Sequence, residues 1–148
     1  MLHSRSLVRY TWLPVVATLL ASCASAPIAR QDSAERATYM AHAGKPVPRF
    51  TWITSYRRAT AISSDQVVVW TNIDRAYLVT ALHPCANLWF AGNIGFTQSG
   101  DSVYAHLNLV KADGWTCGIK SIQPVDYRGV EQDLSRQQAN ASAHSGAG

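Results

Sequence analysis

Gln66-Val67-Val68-Val69-Trp70 is the segment on which the predicted fold depends. Its β-branched and aromatic side chains favour a β-strand. Apolar residues occupy both sides of the segment, which is typical of a central strand covered on each face rather than of a strand with one face in water. We therefore place residues 66–70 in the middle of a sheet and expect a helix to cover one side of it.

Further strands are predicted on both sides of the central segment, because short β-favouring runs alternate with turn residues such as Ser63-Ser64-Asp65 and Asp113-Gly114. The clearest alternation is in residues 103–110, where Val103, Ala105, Leu107 and Leu109 would share one face of a single strand. Residues 85–90 are too short and ambiguous to assign. The predicted strands are residues 50–54, 57–62, 66–70, 76–82, 94–97, 103–110 and 115–122.

One helix is predicted ahead of these strands. Asp32 and Glu35 have the spacing of a capping box, and residues 34–43 contain neither glycine nor proline before Gly44 and Pro46 end the helix. A short N-terminal helix followed by several short strands predicts an α+β, mainly β fold. We expect a curled antiparallel sheet, either a small barrel or a two-layer roll.

The amino-terminal residues 1–22 have the features of a secretory signal peptide. Arg5 and Arg9 precede an apolar run that is shorter than the roughly 20 residues a membrane-spanning helix needs. The run ends at Leu20-Ala21-Ser22-Cys23, which resembles the lipobox of bacterial lipoproteins. The resemblance implies a lipid on Cys23 that anchors the chain to a membrane, and Ala24 favours the outer membrane.

Removal of the signal peptide leaves enough chain for one compact domain. We assign residues 23–31 to the lipidated cysteine and an extended tether, residues 32–127 to a single globular domain, and residues 128–148 to a low-complexity tail. A helix over residues 130–138 is optional, since the tail is too poor in apolar residues to order itself. Deletion of residues 130–148 is therefore expected to leave the domain folded.

Charge and cysteine content narrow the function classes. The formal net charge of +4 falls to +2 without Arg5 and Arg9, and the basic residues are not clustered as in a nucleic-acid-binding domain. Lipidation of Cys23 leaves Cys85 and Cys117 as an even pair in an oxidising compartment. We predict a disulfide between them.

Several of these segments together resemble a family of small proteobacterial lipoproteins whose globular part is a domain of unknown function. The resemblance extends from the lipobox to about residue 127, but Gly118 stands where relatives often have arginine, and His106 or Asn108 replaces an acidic residue. It implies a fold and a cellular address but no reaction. The matching segments include His42-Ala43-Gly44-Lys45-Pro46-Val47, Phe50-Thr51-Trp52, Val68-Val69-Trp70-Thr71, Ala76-Tyr77-Leu78, Cys85, Cys117-Gly118-Ile119 and Pro124-Val125-Asp126.

Three sets of residues were weighed as chemical sites. His83 beside Cys85 suggests an activated thiol, but a half-disulfide next to a strand-ending proline is the favoured interpretation. A metal site would need both thiols reduced, and is disfavoured for the same reason. Aromatic side chains are able to form a groove that stacks on a sugar or peptide, with Trp89 and Trp115 better placed than Trp70, which is expected in the core. The metal set is His83, Cys85, His106 and Cys117, and the tryptophans are Trp52, Trp70, Trp89 and Trp115.

These observations lead to three hypotheses. The first is a non-enzymatic lipoprotein, anchored through Cys23 at the periplasmic face of the outer membrane, whose domain meets an envelope protein or glycan. The second is a module that binds a small ligand or glycan in an aromatic groove. The third, disfavoured, is a thiol or metal enzyme at His83 and Cys85. No catalytic residue, cofactor site or metal site is assigned.

Overall fold

The structure, a computed structural model, describes residues 26–52, 58–82, 85 and 87–145. Residues 53, 54 and 57 of the predicted strands and the signal segment, including Cys23, lie outside the described residues. The elements in chain order are α1 (Ala26–Ala41), β1 (Arg49–Thr51), β2 (Arg58–Ala61), β3 (Gln66–Asn72), β4 (Arg75–Ala81), a 3-10 turn (Leu88–Phe90), β5 (Ile94–Phe96), β6 (Ser102–Tyr104), β7 (Leu109–Ala112), β8 (Trp115–Val125) and α2 (Tyr127–Ser145).

Six strands form one antiparallel sheet in the order β2-β3-β4-β8-β7-β5. The sheet curls until its edge strands, β2 and β5, approach each other, which makes a nearly closed barrel. β1 and β6 form a separate antiparallel ribbon. The predicted mainly β fold with a curled antiparallel sheet is confirmed, and the barrel is the arrangement found.

The two faces of β3 explain why its sequence is apolar throughout. Val67 and Val69 belong to the cluster of buried residues that includes Val79, whereas Val68 and Trp70 belong to a second cluster that includes residues of both helices. All four are buried. The prediction that residues 66–70 form a strand covered on both sides is confirmed.

β8 is the longest strand and has neighbours on both edges. One edge pairs with β4, and the other pairs with β7 and then with the segment that follows α1, through Ala43 and Val47. That segment approaches closely, since a β-carbon on Gly44 would lie 3.2 Å from Cγ of Pro124. The chain after α1 is thereby held against the sheet.

The single strand predicted for residues 103–110 is wrong. β6 ends at Tyr104, the chain turns through His106, whose φ is 64°, and β7 begins at Leu109. Asn108 closes the turn, because its Oδ1 accepts from the Tyr104 amide at 2.8 Å and its own amide donates to the Tyr104 carbonyl. Because of this turn, residues 103–110 do not alternate between two faces of one strand. Val103 and Val110 are both buried, and Leu107 is exposed.

The expectation that the residues after 127 do not order themselves is corrected for residues 128–145, and residues 146–148 lie outside the described residues. α2 extends to Ser145, its Val130 is fully buried, and its Leu134 packs against the same cluster. These two apolar residues, one turn apart, are enough to hold α2 in place because they pack on the apolar surface of the sheet. Most helix stability in proteins comes from such packing. The assignment of residues 23–31 to a tether stays a prediction.

The two ends of the barrel are distinct. The Trp115 end carries the turns at residues 63–65 and 113–114 and the start of β8. The Asp126 end carries the turn between β3 and β4 and the end of β8. No helix within the described ranges is long and apolar enough to cross a bilayer.

Candidate functional site

Cys85 and Cys117 form a disulfide, as predicted. Their α-carbons are 5.9 Å apart, and Cys85 is buried in the barrel interior. Cys117 lies opposite Val110 in the pairing of β7 with β8, so the bond ties the chain after β4 to the middle of the sheet. The disulfide therefore fixes the chain after β4 to β8 near the Trp115 end of the barrel.

The disulfide bears directly on the two disfavoured sites. Both sulfurs are bonded to each other, so neither is a thiolate nucleophile or a metal ligand in this form. His83 lies outside the described residues, and His106 is exposed in the β6–β7 turn. Among the residues that the structure describes, no group of three or more histidine, cysteine or acidic side chains is arranged to hold a metal ion.

The four tryptophans do not line one groove. Trp70 is buried between the sheet and the helices, with its ring edge-on to Tyr39 and Tyr127, as expected for a core residue. Trp89 and Trp115 are 36% and 65% exposed at the Trp115 end. Trp52, which the sequence did not favour for a groove, lines a pocket between two strands of the barrel.

This pocket, which we call the seam pocket, lies where the barrel edges β2 and β5 approach each other. Its volume is about 350 Å³, near the lower limit for sites that hold small molecules. Its walls come from β2, from β5 and the residues on either side of it, from β7, and from the chain after β1. The lining residues are Trp52, Ala59, Asn93, Ile94, Gly95, Phe96, Gln98 and Lys111.

The lining of the seam pocket combines three kinds of group. The rings of Trp52 and Phe96 are 4.7 Å apart between centroids and inclined at 55°. Asn93 and Gln98 supply amides that donate and accept hydrogen bonds. Lys111 supplies the positive charge and makes no ion pair with any residue that the structure describes. Aromatic surface, neutral amides and one ammonium group suit a small polar ligand that carries a negative charge.

Sequence analysis missed a second polar cluster, which joins the two helices. His42 Nε2 lies 2.8 Å from Asp133 Oδ2, and His42 Nδ1 lies 4.0 Å from Asp126 Oδ2. The hydrogen bond from His42 and the nearby charge of Arg136 lower the pKa of Asp133. A β-carbon on Gly129 would lie 2.5 Å from the His42 ring, so a residue without a side chain is required there. This cluster fixes α2 against the end of α1.

No local pattern identifies that cluster, since His42 and Asp133 are 91 residues apart in the chain. The sequence does mark two segments near this cluster, residues 42–47 and 124–126, because both resemble segments of the same protein family. The structure brings them together, because the Asp126 amide donates to the His42 carbonyl and the Gly44 amide donates to the Pro124 carbonyl. Their shared role is to join α1, β8 and α2.

Comparison with known proteins gives one family. No curated protein and no solved structure matches the chain. A family model described as "Family of unknown function (DUF6491)" matches residues 7–141, which is most of the 148-residue sequence. The chain therefore belongs to the DUF6491 family.

Proposed function

We propose that this protein is a lipoprotein of the bacterial envelope, anchored through Cys23 to the outer membrane, whose barrel is a non-enzymatic interaction domain facing the periplasm. The observation that carries the proposal is the disulfide between Cys85 and Cys117. Structural disulfides persist in the periplasm and other oxidising compartments and are rare in the cytosol. Export agrees with a signal peptide at residues 1–22.

The anchor follows from the position of the remaining cysteine. Cys23 ends the segment Leu20-Ala21-Ser22-Cys23 and lies three residues before α1 begins at Ala26. Each buried methylene of an acyl chain contributes about 0.8 kcal/mol to membrane binding, so several chains on one amino terminus hold a small domain firmly. The domain therefore needs no membrane-spanning helix of its own to stay at the membrane.

The anchor is tested by the Cys23→Ala variant of the full chain, expressed in a bacterial host. We expect the wild-type protein to fractionate with the outer membrane and to lose this association in the variant, because alanine cannot carry a thioether-linked lipid. Ser25→Ala is the matched control and should remain in the membrane fraction. Equal membrane fractionation of Cys23→Ala and wild type would contradict lipidation, and mass spectrometry of the amino-terminal peptide identifies the modification itself.

The seam pocket favours a second candidate function, the binding of a small glycan that carries a carboxylate. The half-buried ring of Phe96, which packs on the buried ring of Trp52, offers an apolar face to the carbon-bound hydrogens of a sugar ring. The amides of Asn93 and Gln98 suit its hydroxyl groups, and Lys111 suits a carboxylate. Peptidoglycan fragments that contain muramic acid have this combination. They occur in the compartment to which the signal peptide directs the chain.

Binding is measured by isothermal calorimetry and by tryptophan fluorescence during titration with a muramic-acid disaccharide. Lys111→Gln is expected to weaken binding roughly tenfold or more, since hydrogen bonds to charged groups contribute about 1.5–3 kcal/mol. Lys120→Gln, which alters an exposed lysine that does not line the seam pocket, is the matched control. Absence of heat and of any fluorescence change with the wild-type protein would exclude this candidate.

A further inference from the structure

The direction of α1 relative to the barrel is fixed by contacts at two levels. Near its end, the His42 carbonyl accepts from the Asp126 amide at 3.1 Å, at the Asp126 end of the barrel. Earlier in the helix, Arg36 Nε donates to Gln66 Oε1 at 2.7 Å, and Arg36 Nη2 lies 3.7 Å from Asp65 Oδ1. Asp65 belongs to a turn at the Trp115 end. The amino terminus of α1 is therefore directed toward the Trp115 end.

α2 runs beside α1 in the opposite direction. It starts next to Asp126, and its Gln137 Nε2 donates to Thr38 Oγ1 at 3.0 Å. Its last turns, up to Ser145, consequently extend in the same direction as the start of α1. The start of α1 and the end of α2 therefore both lie toward the Trp115 end.

Large apolar side chains are exposed at the Trp115 end. Trp89 is 36% exposed, Phe90 83% and Trp115 65%, and we call these three residues the aromatic patch. Trp89 and Phe90 lie in the 3-10 turn, and Trp115 is the first residue of β8. Leu82, 49% exposed and in contact range of Gly118, adds apolar surface at the same end.

Asp113 holds the two segments of the aromatic patch together. Its carboxylate accepts from the backbone amides of Gly92 at 2.8 Å and Asn93 at 3.0 Å, and its own amide donates to the Asn93 carbonyl. These bonds fix the chain just after Phe90 next to the turn just before Trp115. The negative charge of Asp113, the one acidic residue of that turn, is therefore satisfied by backbone N–H groups.

The start of α1 and the start of β8 are similar distances from the level of Asp65, measured along each element. The Ala81 amide donates to the Asp65 carbonyl, and Ala81 pairs with Ile119, so Asp65 and Ile119 lie at one level. From Arg36, which contacts Asp65, α1 extends back to Ala26, about 15 Å at 1.5 Å per residue. From Ile119, β8 extends back to Trp115, about 13 Å at 3.3 Å per residue.

We infer that the aromatic patch lies in the headgroup region of the membrane to which Cys23 is attached, so that the barrel stands on the bilayer with its Trp115 end down. The inference rests on the proposed lipid anchor. The bilayer is the occupant because the chain reaches Cys23 only three residues before Ala26, which leaves little length to hold the patch away from the lipid. Tryptophan is favoured at this depth, where its ring meets apolar chains and its N–H meets water.

The experiment uses the lipidated full-length product in phosphatidylethanolamine and phosphatidylglycerol vesicles whose acyl chains carry bromine, which quenches tryptophan at short range. We expect fractional quenching in wild type and its loss in the double variant Trp89→Phe, Trp115→Phe, because Trp52 and Trp70 are buried. Ile73→Ser, which removes an exposed apolar residue at the Asp126 end, is the matched control and should be quenched like wild type.

Two outcomes would overturn the inference. One is equal quenching of wild type and the double variant, and the other is no quenching of wild type. Crosslinks between the aromatic patches of two copies would in that case identify a second copy as the occupant. Flotation of the vesicles and the mass of the amino-terminal peptide report the anchor independently. Protein that floats and carries lipid but shows no quenching refutes the docking alone, whereas protein without lipid refutes the proposed function. Thermal melting of the double variant verifies that its fold is unchanged.

Discussion

Replacement of both Cys85 and Cys117 by alanine is expected to lower the free energy of unfolding by about 4 kcal/mol. The cysteines are 32 residues apart in the sequence. A crosslink that closes a loop of this length lowers the conformational entropy of the unfolded chain, which stabilises the folded state by about this amount. Alanine is preferred to serine because Cys85 is buried, and a hydroxyl group there would add a desolvation cost. Urea denaturation followed by circular dichroism measures the loss, which is a large fraction of the stability of a small domain.

Reduction provides the matched control for this prediction. Dithiothreitol should shift the denaturation midpoint of the wild-type protein toward that of the double variant and should leave the variant itself unchanged. A variant within about 1 kcal/mol of wild type would show that the bond adds little, as happens when the unfolded chain keeps residual structure. The same comparison tests whether the disulfide is a structural bond rather than a reversible one.

The parts of the fold that sequence predicted are those that depend on local pattern. Residues 66–70 are apolar on both sides. A strand that is covered on both faces needs an apolar side chain at nearly every position, so this local pattern was enough to identify β3 as a buried strand. The disulfide followed from counting, since only Cys85 and Cys117 remain after Cys23 is assigned to the lipid. The curled antiparallel sheet followed from the spacing of short strands and turns.

The errors arose where a single side chain or a distant surface decides the outcome. Residues 103–110 alternate as a strand should, but the buried Asn108 side chain bonds to the backbone of Tyr104 and makes a turn more favourable than continuation. His106 adopts a positive φ there, which is uncommon for a residue other than glycine. Neither feature changes the period of the apolar pattern.

The candidate site was predictable only in its kind of chemistry. Aromatic side chains were expected in a groove, but the seam pocket depends on the approach of β2 to β5, and strand order cannot be read from periodicity. Trp52 was therefore not preferred over Trp89 or Trp115. The two exposed tryptophans were correctly placed near turns, yet only the paths of α1 and β8 reveal that they share an end of the barrel with the start of α1.

Substitution of Val130 by aspartate is expected to lower the free energy of unfolding by more than about 3 kcal/mol, enough to unfold a marginally stable domain. Val130 is fully buried in the cluster that contains Tyr39, Trp70 and Val125. A carboxylate at this position has to be desolvated or α2 has to leave the sheet, and separation of α2 also breaks the contact between His42 and Asp133. Thermal melting and near-ultraviolet circular dichroism of Trp70 measure the effect.

Gln132→Asp is the matched control, since it introduces the same charge in the same helix at an exposed position. Its stability should stay close to wild type, because surface substitutions usually change the free energy of unfolding by less than about 0.5 kcal/mol. Truncation separates packing from charge: removal of residues 140–148 should be tolerated, whereas removal of residues 130–148 should destabilise the domain by exposing the Trp70 cluster. If Val130→Asp and the longer truncation both melt like wild type, α2 does not contribute to the core, and the residues after 127 are the dispensable tail that their composition predicted.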